Sequence, residues 1–173
     1  MKTLVIAYPE LTKRDLSQIE NFRKEHDNMA NLIKPHFTLV FPLDNIEVPD
    51  LIHEMDLLLE HEKAIPFSMR CAMINKDAFS ENYHVFLVPD EGFSQLIKLH
   101  DKLYNGLLND NLRLDIPFIP HITIGSSTDK YQCKKMVDDW NSKDFEINGT
   151  ISYLHLVKYT GEYVETIESV QLN

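Results

Sequence analysis

Cysteine is scarce in this chain of 173 residues: only Cys71 and Cys133 occur, 62 positions apart and outside any C-x-x-C pattern. That excludes a disulfide framework and a cysteine-based zinc site, and it predicts two buried free thiols. Positive charge is also in deficit. Lys and Arg number 17 against 27 Asp and Glu, for a formal net charge of −10. A fold-wide basic footprint, as a non-specific nucleic-acid binder needs, is absent. A phosphate ligand must then be met by a local site rather than by the field of the whole protein. No apolar run approaches the ~18 residues of a membrane span. The opening MKTLVIAYPE stops too soon for a signal peptide and reads as a first strand. There is no phosphate-binding Gly-rich loop, no dinucleotide fingerprint and no Ser or Cys nucleophile motif. These absences lead us to expect a cytoplasmic monomer that engages neither DNA nor membrane.

What remains is ordinary globular material, 43% apolar and 25% charged. A chain of this length buries roughly 70% of its unfolded surface and needs no staples. Periodicity predicts strands over 3–8, 36–43, 66–75, 83–88, 119–125, 145–159 and 162–171. Helical spacing of apolar residues predicts helices over 10–27, 50–62, 91–109 and 129–141. Pro42 is expected to end the second strand.

The chain also resembles itself. LVIAYPE (4–10) is similar to VFLVPDE (85–91), an apolar strand followed by Pro and an acid. From that proline to a later histidine the spacing is 27 positions in the first half (36 − 9) and 32 in the second (121 − 89). A helix fills each gap. Each half reads strand–helix–strand–helix–strand, and duplication is the simplest account. The expectation is a single domain, 1–173, with a first repeat over roughly 1–80 and a second over roughly 81–173. Its fold class is α+β, with two pseudo-symmetric lobes.

The sharpest internal match is KPHFTLVF (34–41) with IPHITIGS (119–126). Both contain Pro-His-apolar-Thr-apolar, which composition would produce on the order of 0.003 times by chance. Alternation along a strand puts His36 and Thr38 on one face, with Phe37 and Leu39 on the other. His121 and Thr123 stand likewise, opposed by Ile122 and Ile124. Core strands rarely keep a polar pair on a face that could be apolar. Under a twofold, the two pairs converge on one groove.

Two histidines suit paired proton transfer, because imidazole titrates near neutral pH and can serve as acid or base. One would take a proton from an attacking water while the other gives one to a leaving oxygen, each worth about 10²–10⁴-fold. Threonine hydroxyls can donate to non-bridging phosphate oxygens, at about 1.5–3 kcal/mol per bond to a charged acceptor. The set fits in-line opening of a strained cyclic phosphodiester, or transfer to a ribose hydroxyl, without a cofactor.

On these motifs the chain resembles the two-histidine (2H) phosphoesterase superfamily, in its bacterial 2'-5' RNA ligase and RNA cyclic phosphodiesterase-like branch. HFTL (36–39) and HITI (121–124) match the family motif position by position, and LHLVKYTGEYVETIESVQL resembles its closing strands. The resemblance implies an α+β fold of two pseudo-symmetric lobes, each an antiparallel sheet with flanking helices, with a cleft between the sheets, and metal-independent action on 2'-5' bonds or on 2',3'- or 1'',2''-cyclic phosphates. It implies His36 and His121 as the acid–base pair and Thr38 and Thr123 as phosphate donors. The acidic net charge departs from branches that grip long RNA, so a small nucleotide or an RNA end is the expected substrate. Lys34, Arg70, Lys158 and Tyr159 are further candidates to line the groove. Lys34 shares strand parity with His36, and the other three lie on predicted strands.

Two rival readings stand beside this one. The first is a non-catalytic nucleotide- or RNA-binding module on the same fold. The second is a metal-dependent hydrolase using His53 and His61. Those two lie on the polar side of one helix, and metal ligands need convergence from more than one element. His26, His84, His100 and His155 carry no assigned role.

Overall fold

The computed structural model describes residues 2–44 and 46–173. Its strands in chain order are β1 (Lys2–Ala7), β2 (Glu10–Leu11), β3 (Phe37–Leu43), β4 (Ile65–Lys76), β5 (Tyr83–Glu91), β6 (Ile122–Ser127), β7 (Ile147–Ile151), β8 (Tyr153–Tyr159) and β9 (Val164–Gln171). Its helices are α1 (Lys13–His26), α2 (Val48–Leu59), α3 (Phe93–Leu103) and α4 (Lys130–Asn141), with a 3₁₀ stretch at Gly106–Asn111. The strands pair antiparallel in two sheets, ordered β3-β1-β8-β9 and β2-β7-β4-β5-β6. This is the α+β, two-sheet architecture that the duplication and the family resemblance lead us to expect.

Each half of the chain lends strands to the other half's sheet. β1 and β3 are joined by β8 and β9 from the C-terminal half, while β5 and β6 are joined by β4 from the N-terminal half. The stretch predicted as one strand over 145–159 breaks at Ser152. Its first part, β7, pairs with β4, and its second part, β8, pairs with β1. One extended segment thereby crosses between the sheets. The helices follow the same exchange: α1 and α4 pack on the β4-β5-β6 sheet, and α2 and α3 pack against β9 and β3.

Several boundaries differ from the periodicity, each for a local reason. β3 runs through Pro42 to Leu43 because it is an edge strand, where a missing N–H breaks no ladder bond. The helix expected from residue 10 begins after Thr12, whose side chain accepts from the Asp15 amide as an N-cap. Glu10 and Leu11 instead pair with β7. The long helix expected over 91–109 ends at Leu103, and the 3₁₀ stretch starts at Gly106, with φ at +60°. Cys133 is buried as expected, whereas Cys71 is exposed. A β-bulge between Met69 and Cys71 turns both Arg70 and Cys71 outward. Among the described residues, no helix is long and apolar enough to cross a membrane.

Candidate active site

β3 and β6 have their inward side chains fully buried: Phe37, Leu39, Ile122 and Ile124 are at most 1% exposed. Alternation then forces the intervening side chains to the opposite face. His36 and His121 each sit one residue before their strand, and both with Thr38 and Thr123 line one cavity of about 740 Å³ between the sheets. The two motif copies, 85 positions apart (121 − 36), are thus brought together.

Both imidazoles are held in the same way. His36 Nδ1 lies 2.8 Å from the Lys34 carbonyl oxygen, and His121 Nδ1 lies 2.5 Å from that of Ile119. Since a carbonyl only accepts, Nδ1 carries the proton and donates, leaving Nε2 with its lone pair. Each accepting carbonyl belongs to the residue before a proline, Pro35 or Pro120. Proline restricts the residue before it to extended backbone, which fixes the carbonyl's direction. His121 also stacks on Phe86, with ring centroids 3.5 Å apart and planes at 15°. His36 meets Tyr8 edge to face at 6.4 Å. Tyr8 in turn packs on His155, whose Nδ1 lies 2.8 Å from Ser169 Oγ.

Burial lowers both pKa values to about 4, against the 6.5 of a free imidazole. Desolvation is the largest cause for each, and the backbone carbonyls oppose it. His36 and His84 depress His121 further through their charge, while Arg23 depresses His36 and Asp27 opposes that effect. In the empty cavity near pH 7 both imidazoles are neutral.

Beneath His36 lies an ion pair that periodicity did not single out. Arg23 Nε donates to Asp27 Oδ2 at 2.8 Å, and both side chains are almost wholly buried while lining the cavity. Asp27 Oδ1 also accepts from the Met29 amide. Arg23 and His26 close the last turn of α1, so from sequence they read as ordinary basic residues at a helix C-terminus. The lining carries Lys2, Arg23, Lys76 and Arg113 against Asp27 and Asp77. A local positive excess therefore exists inside an acidic protein.

The remaining candidates divide. Tyr159 lines the cavity, opposite Lys2 across the β1–β8 ladder. The Lys34 side chain is exposed and outside the lining, and its contribution is the carbonyl that holds His36. Arg70 lies elsewhere, clamped by Asp90, Glu91 and Glu146. Lys158 is also outside the lining. His53 and His61 are exposed and away from the cavity. His100 is buried, its Nδ1 donating to the Leu39 carbonyl at 2.8 Å and its ring stacked on Phe118 at 3.6 Å. It braces β3 against a residue of the cavity wall. Phe79, exposed on the β4–β5 turn, and Arg113, 5.0 Å over its ring, flank one end of the cavity.

Two antiparallel sheets around a cleft, with an imidazole and a threonine from each half, define a two-histidine phosphoesterase fold. The model of the 2'-5' RNA ligase superfamily matches residues 9–162, and the chain belongs to that family. Curated relatives agree in their coarse assignment. A protein of Geobacillus sp. (strain WCH70), provisionally named a phosphoesterase, is 24% identical over 91% of this chain and 87% of its own. One of Oceanobacillus iheyensis, named likewise, is 27% identical over 91% of this chain and 89% of its own. Among solved structures, TT0787 of Thermus thermophilus superposes with a TM-score of 0.65 at 14% identity, covering 99% of this chain and 98% of that one. Escherichia coli LigT in complex with 3'-AMP gives 0.56 at 15% identity, covering 99% and 97%. At such identities the structural likeness speaks for the fold.

Proposed function

We propose that the protein is a metal-independent phosphoesterase that opens a 2',3'- or 1'',2''-cyclic phosphodiester, or cleaves a 2'-5' linkage, on a small nucleotide or RNA end. The observation that carries this reading is the matched pair of imidazoles. Each is anchored through Nδ1 to the carbonyl before a proline, and each keeps Nε2 for the cavity they share with Thr38 and Thr123. Crystallised complexes of E. coli LigT with 3'-AMP, ATP, NADP+ and phosphate support a nucleotide ligand for this fold.

In the reaction one neutral imidazole takes a proton from water as its oxygen bonds to phosphorus. The bond from phosphorus to the ribose oxygen on the far side breaks, and the other imidazole, entering protonated, donates to that oxygen. Thr38 and Thr123 donate to the non-bridging oxygens, where each bond to a charged acceptor contributes about 1.5–3 kcal/mol. Arg23 supplies positive charge that Asp27 only partly offsets. Because both imidazoles are neutral in the empty site, the acid's proton is taken up with the anionic substrate, whose charge raises its pKa. Tyr159 contacts the substrate farther along the cavity, and the Lys34 carbonyl acts through His36.

The test is hydrolysis of 2',3'-cyclic nucleotides and 2'-5' dinucleotides in excess chelator. Wild type turns over, and His36→Ala and His121→Ala each lose about 10²–10⁴-fold in kcat, as expected for removal of a positioned acid or base. Activity that chelator abolishes, or that survives both substitutions, refutes the reading. Tight nucleotide binding with no turnover would identify a binding module instead.

A further inference from the structure

One step beyond the paired motifs, the two sheets present different chemistry to the cavity. On β5, Phe86 lies opposite Thr123 of β6 and His84 lies opposite Ser126. On its other side His84 lies opposite Asn75 of β4. Ser126, His84 and Asn75 all line the cavity. They make a polar row across three strands, about 7 Å from the Phe86–Thr123 row at the usual rise of a strand. Thr123 and Ser126, three apart, share a face because β6 bulges between them. In the other sheet the Thr38–Ile6 pair is followed by Leu4 opposite Val157, and both of these line the cavity too. There the corresponding row is apolar.

His84 is held in a defined pose. Its ring lies parallel to Phe86, 6.0 Å between centroids, and its Nε2 is 3.9 Å from Asp77 Oδ2. Its Nδ1 is buried without a hydrogen-bond partner. A proton on Nε2, toward Asp77, avoids burying an N–H that has no acceptor. The ring's one donor is then Nε2–H, directed toward Asp77, which lines the same cavity as Asn75 and Ser126.

We propose that this step of the cleft is a nucleobase subsite, the base lying against Leu4 and Val157 with its edge on Ser126, His84 and Asn75. A planar group with apolar faces and a hydrogen-bonding rim matches an apolar wall opposed by a polar row. A second phosphate fits less well, since one wall is hydrocarbon, Asp77 stands beside the other, and the nearby cations Lys76 and Arg113 are paired with Glu81 and Asp115. The row spacing also fits the reach from a ribose phosphate held between Thr38 and Thr123 to the base on the same sugar. The proposal rests on the phosphoesterase reading for the position of that phosphate. It also gives the pseudo-twofold site a direction, because the two walls at this step differ, one polar and one apolar.

The test is calorimetric binding of adenosine 3'-monophosphate and ribose 3-phosphate to the full chain. Wild type binds the base-bearing ligand at least about tenfold tighter, in the range that base contacts supply. His84→Leu and Asn75→Ala each reduce that ratio to about threefold or less. Asn75 is only partly buried, so its variant reads the subsite even where His84→Leu perturbs the stack on Phe86. A wild-type ratio near one, or a ratio preserved in Asn75→Ala and in a folded His84→Leu, overturns the proposal. A wild-type preference that the variants lose, with no hydrolysis of any cyclic phosphate or 2'-5' linkage, keeps the base subsite and removes the phosphoesterase reading. Hydrolysis with equal affinity for the two ligands does the reverse.

Discussion

The proline before each histidine does work that the His-x-Thr pattern alone does not reveal. His36 and His121 point their Nδ1 protons at carbonyls two residues upstream, each ahead of a proline. Repetition and parity mark the histidines and threonines. They give no reason for Pro35 and Pro120, because that reason is a side chain folding back on its own backbone. Arg23 and His84 were equally hidden, since neither is repeated and each acts through neighbours distant in sequence. The electrostatics lead to a pH prediction. Both imidazoles titrate at about 4 in the empty site. The acid limb of kcat/KM, which reports the free enzyme, should therefore fall well below pH 6.5, and kcat should keep a higher limb once the phosphate is bound. Binding of a nucleoside monophosphate at pH 6 should take up protons, read as a dependence of calorimetric heat on buffer ionisation enthalpy. For folding the sign is fixed: a native pKa below the unfolded value makes these histidines lower stability as pH falls from 6.5 toward 4. A second prediction concerns Arg23. Arg23→Leu leaves Asp27 buried without its partner, so unfolding free energy in urea should drop by about 3–5 kcal/mol, and phosphate affinity should fall with it.

Elements were legible where a single period governed them and illegible where a tertiary contact overrode it. The apolar spacing predicts α4 over 129–141, and it spans Lys130–Asn141, capped by Asp129 accepting from the Tyr131 amide. β3 passed through Pro42 because it is an edge strand, a fact about neighbours rather than about residues 36–43. β6 carries Ser126 on the face of Thr123 through its bulge, where strict alternation would have put it on the other side. The start of α3 depends on Gly92, with φ at +83°. A Cβ there would lie 2.7 Å from the Pro66 carbonyl oxygen and 2.8 Å from Phe67 Cβ. These belong to β4, so the neighbour cannot simply swing away. Gly92→Ala should thus destabilise by about 1–3 kcal/mol from the left-handed backbone alone, and by more through the contact. Urea melts would show it. Gly161, also at positive φ but with nothing within 4 Å of a built Cβ, is the control: Gly161→Ala should carry the backbone strain without the clash.

At the scale of the molecule, the duplicated pattern read from sequence divides the chain near residue 80, while hydrogen bonding divides it differently. β4 belongs to the first half in order and to the β5–β6 sheet in space. β8 and β9 make the opposite journey. Only pairing partners decide this, and strand periodicity does not encode them. The exchange ties the two motif copies into one cooperative unit. β7 and β8 are consecutive stretches of one segment in different sheets, so separating the sheets strains that backbone. We therefore expect the lobes to unfold together. The single Trp140 is buried on α4, against the sheet that contains β4 and β5, so its fluorescence reports that lobe, whereas far-UV circular dichroism reports both. The two urea transitions should coincide, as two-state unfolding requires. A fragment of residues 1–80 should remain unfolded, because β1 lacks β8 and β4 lacks β5 and β7. Separate transitions, or a folded 1–80 fragment, would show that each half holds its own sheet and that the cleft is assembled from independent parts.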